Sequence, residues 1–139
     1  MVEPISARDI AVSGLRAQRT RMNIIANNIA NWETTRTPEG GPFRRQMVVI
    51  RGDQIGPGLN PGDAGIRVKR VVHDQSPFRP VYRPNHPDAD ADGYVMYPNV
   101  DLAIEQVDLL SAQRAYEANI AVIRSGSQMK QQALRILEK

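Results

Sequence analysis

The chain has 139 residues, a formal charge of +3, no cysteine and only two histidines. That length suits one modest domain. The missing thiols exclude disulfide scaffolds, thiolate zinc sites and cysteine nucleophiles, and two well-separated histidines offer little for a histidine metal centre. Charge is spread rather than gathered: residues 1 to 32 carry four bases against two acids, 33 to 100 nine against eight, and 101 to 139 five of each. A nucleic-acid binder would concentrate its positive charge into a stripe or arm. No apolar run approaches the roughly 20 residues needed to span a bilayer, and the opening MVEPISARDI lacks the basic region of a cleaved signal peptide. Export, if the protein leaves the cytoplasm, is expected to follow another route.

The first element is a helix from about Ser6 to Ile29, with Ser6 or Asp9 as its cap. Ala11, Leu15, Met22, Ile25 and Ile29, with Gln18 in the skipped place, follow alternating spacings of four and three, the pattern that turns one narrow face toward a partner helix. The Asn-rich run that follows, then Thr and Pro38, competes for backbone hydrogen bonds and stops the helix near Asn31. Trp32, the sole tryptophan, sits at that end, either covering a local apolar patch or anchoring an interface.

Nine of the ten prolines and eight of the ten glycines lie between Pro38 and Pro98. Within this window, Arg44 to Gly52 and Gly65 to Asp74 read as two short strands, and residues 93 to 98 as a possible third. GPGLNPGDAG between the first two is turn chemistry. Pro77, Pro80, Pro84 and Pro87 predict an irregular, extended arm from about Ser76 to Asp88. Asp88, Asp90, Asp92 and Gly93 match the opening positions of a calcium-binding loop. However, Asn99 stands where a bidentate Glu is required and a proline-rich stretch replaces the leading helix, so a solvated turn is expected. His73-Asp74 has no nucleophile at a recognisable spacing, and His86 lies between Asn85 and Pro87. The glycines form no phosphate-binding pattern. Arg44, Arg45, Arg67, Lys69 and Arg70 lack the interleaved aromatics of a nucleic-acid groove, and salt bridges to neighbouring subunits are the expected use of their charge.

The last element is a helix from about Asp101 to Leu137, opened by Asn99 or Asp101 and favoured by Glu105 in its first turn. Leu109, Tyr116, Ile120, Ile123, Leu134 and Leu137 form one broad stripe, which Leu102, Val107 and Leu110 widen early and Gln113, Ser127 and Lys130 interrupt. Such a helix would span about 55 Å. Its stripe is too long to be covered by the shorter first helix, which points to other subunits as partners. The expected organisation is mainly α: a helix within 1–32, a small strand and proline-rich loop insertion over 33–98, and a helix within 99–139, the two helices packed like a coiled-coil pair.

Two stretches resemble the flagellar rod and hook axial proteins. SGLRAQRTRMNIIANNIANWETTRTPEGGPFRRQ, residues 13 to 46, is similar to their amino-terminal signature, with ANNIAN (Ala26 to Asn31) its most diagnostic part. Residues 93 to 139 are similar to their carboxy-terminal signature, with YPNVD (Tyr97 to Asp101) and AQRAYEAN (Ala112 to Asn119) the strongest pieces. The run TTRTPEGGPFRRQ looks like the proximal-rod branch, and Trp32-Glu33 departs from the small or polar pair usual there. The resemblance implies a structural subunit of the proximal rod that transmits torque across the periplasm. Its implied partners are copies of itself, other rod subunits, the basal-body base and the flagellar type III export apparatus. No cofactor, metal, catalytic group, nucleic acid or membrane span is implied. The interface residues it implies are Leu15, Met22, Ile25, Asn27, Asn28, Ile29, Asn31, Trp32, Leu109, Gln113, Tyr116, Asn119, Ile120 and Ile123. The rival readings are a different axial subunit of the same apparatus, a cell-wall-cleaving accessory enzyme, which would need paired acids in a cleft, and a DNA-binding helical protein, which would need a recognition helix.

Overall fold

Ser6 opens the first helix. Its hydroxyl accepts from the Asp9 amide at 3.2 Å while the Asp9 carboxylate accepts from the Ser6 amide at 3.3 Å, a reciprocal cap that satisfies two orphan donors. In the computed structural model, which describes residues 6–53 and 65–137, this helix, α1, runs Ala7–Ala30. The Asn run ends it: the Asn31 side chain donates to the Asn27 carbonyl at 2.9 Å and accepts from the Thr34 hydroxyl at 3.1 Å. A loop leads out through Gly40 and Gly41, both at positive φ (89° and 75°), where a side chain would be strained.

Strands β1 (Gln46–Asp53) and β2 (Gly65–His73) form an antiparallel hairpin with a bulge at Val49/Ile50. Strands β3 (Arg79–Tyr82) and β4 (Tyr94–Tyr97) form a second antiparallel pair. Asp101 then caps the second helix by accepting from the Ala103 amide at 2.9 Å, and α2 runs Leu102–Leu137.

Two sequence expectations are corrected here. The fold is not mainly α with a small strand insertion: four strands in two sheets occupy the middle, and of the described residues half are helical and a fifth lie in strands. The proline-rich stretch is not irregular throughout, because β3 holds Pro80 within it. The Arg83 amide donates to the Gly93 carbonyl at 2.9 Å, and counting by twos from that bonded pair points the nitrogen of Pro80 away from β4. An edge strand tolerates proline at such a position. The GPGLNPGDAG turn lies outside the described residues.

The helices are antiparallel, with Gly14 against Asn119 toward one end and Asn28 bonded to Glu105 toward the other. The expected seam of Leu15, Met22 and Ile29 is not the most buried face of α1. Ala11, Gly14, Ala17, Ile25 and Asn28 are, because the helices approach so closely that a Cβ on Gly14 would lie 2.9 Å from the Asn119 amide. Ala112 completes this contact from α2, and Val95, Tyr97, Pro98 and Val100 form a second small core beneath β4.

Candidate assembly surface

One end of the molecule is closed by a polar cluster. Glu105, on the first turn of α2, is fully buried. Arg45 donates to one of its oxygens through Nε, and the Asn28 amide donates to the other at 3.0 Å. Asn28 also grips the start of β1, donating to the Gln46 carbonyl at 2.8 Å and accepting from its amide at 2.9 Å. Asn99 accepts from the Arg45 amide at 2.8 Å and donates to the Asp74 carbonyl at 3.1 Å, so the end of β2 joins the cluster. Arg45 lies within 3.5 Å of Asp74 and 3.6 Å of Asp108, and Asp108 within 3.5 Å of Arg21. Burial works against the charge on Arg45, yet Glu105 and Asp74 outweigh it and hold its pKa above the usual arginine value.

Arg44 and Arg45 both bond within the chain, since Arg44 also donates to the Asp74 and Ser76 carbonyls and covers the Phe78 ring at 4.2 Å. Sequence reasoning missed this cluster. Its available signal was Glu105 itself, a carboxylate seven and fourteen residues before Ala112 and Asn119 on one helix line.

The flank of the helix pair away from the β1–β2 hairpin is different in character. Ser13, whose hydroxyl accepts from the Ile66 amide at 3.0 Å, and Asn27, which reaches Gln46 at 3.4 Å, mark the hairpin side of α1. Leu15, Met22 and Ile29, at seven-residue intervals, project roughly half a turn further round and are half-buried. On α2 Leu109, Tyr116 and Ile120 are half-buried too and lie round from Asp108 toward the same open flank. Gln18 stands among them with its side-chain oxygen buried and no hydrogen-bond partner among the described residues.

The remaining expected interface residues fall as follows. Ile25 and Asn28 are buried within the chain, and Asn119 faces Gly14. Asn31, Trp32 and Ile123 are half-buried, while Asn27 and Gln113 are exposed.

Beyond the start of α1, α2 continues alone among the described residues. Extending the Gly14–Asn119 and Asn28–Glu105 pairings places Ala7 beside the Gly126 turn, so α2 overhangs by roughly 16 Å. Met129 (65%), Leu134 (60%), Ile136 (75%) and Leu137 (82%) are exposed on that overhang. Ile104, Val107, Val122, Met129 and Ile136 also share a solvent-facing stripe along the whole helix, a second apolar face that the sequence reading did not separate from the first.

Asp88 pairs with Arg36 and accepts from the Thr35 hydroxyl, while Asp90 accepts from the Asp92 and Tyr94 amides to close the β3–β4 connection. Among the described residues no group of three or more acidic or histidine side chains sits where it could hold a metal ion. His73 is exposed beside Gln46, and no described helix is long and apolar enough to cross a membrane.

Residues 9–36 match the family described as flagella basal body rod protein, and residues 91–136 match that described as flagellar basal body rod FlgEFG protein C-terminal. The chain is 45% identical to the flagellar basal-body rod protein FlgC of Borreliella burgdorferi over 96% of this chain and 97% of that one. It is 42% identical to FlgC of Salmonella typhimurium (92% and 93%) and 40% identical to FlgC of Bacillus subtilis (92% and 94%).

Proposed function

The chain belongs to the FlgC family of flagellar basal-body rod proteins and is a structural subunit of the rod, and from that premise we propose that it is built into the rod through the open flank and overhang of its helix pair. Copies of itself and other rod subunits supply the missing cover, and the chain catalyses nothing. The proximal rod, crossing the periplasm and carrying torque from the basal-body base, is its place. Delivery is through the flagellar type III export apparatus.

The observation that carries this reading is the overhang. An apolar stretch of α2 that α1 cannot reach would stay in water in an isolated subunit, and large contiguous apolar patches mark interaction surfaces. The flank supports it. Leu15, Met22, Ile29, Leu109, Tyr116 and Ile120 present a heptad-spaced face for a further helix, and the buried Gln18 oxygen, with no partner among the described residues, can accept a donor from it, a bond whose absence costs about 1–3 kcal/mol. Gln113, Asn27, Asn31, Trp32 and Ile123 border this face or its ends and complete the proposed interface, with Ile25, Asn28 and Asn119 shaping it from within.

The test separates assembly from folding. Leu134→Glu with Ile136→Glu changes exposed residues and is expected to leave the unfolding midpoint of the purified chain in place. Cells carrying it should lose motility, and their isolated basal bodies should lack the rod. Normal motility and rods containing the variant chain would overturn the proposed role of the overhang.

A further inference from the structure

We propose that the buried Asn28–Arg45–Glu105 cluster is a register lock: it selects one alignment of α1 on α2 from among alignments that the rest of the helix surface would accept. The helix contact by itself is permissive. On α1 the flank residues Leu15, Met22 and Ile29 recur every seven residues, and on α2 Leu109, Tyr116 and Ile123 do the same. The close-approach line of α2 is also periodic, since Ala112, Asn119, Gly126 and Ala133 are seven apart and all short. Sliding α1 by seven residues toward the end of α2, roughly 10.5 Å, would lay Gly14 against Gly126 and apolar flank against apolar flank. The overhang leaves room for that movement.

What the slide cannot reproduce is the cluster. Asn28 would come to lie opposite Ala112, with no polar group in place of the carboxylate. Arg45 travels with α1, because Asn28 holds both the amide and the carbonyl of Gln46, so it too would leave Glu105. Only the observed alignment brings the three side chains together. A single buried polar position is known to fix register in helix pairs where apolar residues alone do not. The lock also has a consequence for shape: by holding α1 at the cluster end, it keeps the far end of α2 uncovered.

Because the chain has no cysteine, disulfide trapping reads the alignment directly. Gly14 lies against Asn119 in the observed alignment and would lie against Gly126 in the slid one. Cysteines at 14 and 119 report the observed register and cysteines at 14 and 126 the slid one. Each pair is introduced into the natural chain and into one carrying Asn28→Leu and Glu105→Leu, in which Arg45 keeps Asp74 and Asp108. Initial rates of intramolecular disulfide formation are measured at low protein concentration. In the natural background only the 14/119 pair should close. In the double-leucine background the 14/126 pair should close faster by about tenfold or more. A rate unchanged from the natural background, in a chain that remains helical, would show that apolar packing sets the register and would overturn the proposal. If the double-leucine chain loses helicity, Glu105→Gln decides: it keeps the side-chain shape and removes the charge, and a raised 14/126 rate supports the lock while an unchanged one overturns it. The readout needs no rod, so its failure is distinct from failure of the assembly surface.

Discussion

Two glycines lie inside helices of this protein, and alanine at each should act in opposite directions. In a helix interior alanine is favoured over glycine by about 0.8–1.0 kcal/mol. At Gly126 an added Cβ meets nothing within 4 Å, so Gly126→Ala should stabilise the isolated chain by nearly that whole amount. At Gly14 the same Cβ would lie 2.9 Å from both Asn119 amide atoms and 3.1 Å from the Cγ between them. Asn119 would have to turn aside, giving up its bond to the Ala115 carbonyl at 2.9 Å, worth about 1 kcal/mol. It would also leave its rotamer, which costs about 0.5–1.5 kcal/mol. Set against the propensity gain, Gly14→Ala should destabilise by about 1 kcal/mol. Urea unfolding of the purified chain, followed by circular dichroism, would show one midpoint moving up and the other down. Adding Asn119→Ala to Gly14→Ala should recover the loss, with a coupling of about 1–2 kcal/mol across the pair. If Gly14→Ala stabilised as much as Gly126→Ala, the helices would not approach closely at that point, and the placing of the seam on small residues would be wrong.

Removing the Glu105 carboxylate should be far more damaging than neutralising it. Glu105→Ala leaves the buried Asn28 amide without its carboxylate and Arg45 with only Asp74 and Asp108, and should cost about 1–3 kcal/mol in equilibrium unfolding, whereas Glu105→Gln should cost clearly less. Acid should weaken the fold through two aspartates. The Ser6 hydroxyl and amide hold the Asp9 carboxyl below its ordinary range, and the Ser76 amide and hydroxyl, then Arg45, do the same for Asp74. A carboxyl whose folded pKa is depressed contributes stability that is full above the unfolded value and is lost as pH falls through the folded one. Stability should therefore hold near neutrality and decline below the usual aspartate range, with carboxyl-carbon NMR showing both groups titrating low and Ser6→Ala returning Asp9 toward normal. Trp32, the sole tryptophan and half-buried at the end of α1, reports on assembly: its fluorescence should shift to shorter wavelength when subunits polymerise, and an unchanged spectrum would place it outside the interface.

The two helices were legible in the sequence almost to the residue, because their signals are local. Ser6 and Asp101 cap from positions any reader can see, and the Asn run ends α1 with side chains only a few places away. The β1–β2 hairpin was legible for the same reason, from two Val- and Ile-rich runs around a turn. What could not be read depends on contacts distant along the chain. The strand through Pro80 exists because β4 lies on the side where proline lacks nothing, and a count of prolines cannot supply that fact. The seam moved from Leu15 and Met22 to Gly14 and Asn28 because glycine at close approach and a buried amide bonded 77 residues away outweigh hydrophobic size. Nor could the sequence place Glu105 beneath Arg45, 60 residues before it.

The distribution of polar and apolar groups gives the subunit a direction. At the cluster end, the close of α1, both ends of the hairpin and the start of α2 are tied by hydrogen bonds among Asn28, Arg45, Gln46, Asn99 and Glu105. Each bond joins segments far apart in sequence, so this end forms only when the whole chain has come together. At the other end nothing comparable is found among the described residues: α2 runs on past α1 with Met129, Leu134, Ile136 and Leu137 in water. An isolated subunit should accordingly be firm at one end and loose at the other, with amide exchange slow around Glu105 and fast beyond Gly126. Assembly then costs little further ordering where the chain is already closed, and gains apolar burial where it is open. If exchange were instead fast around Glu105 in the free subunit, the cluster would be a product of assembly, and the order of events argued from its position would have to be reversed.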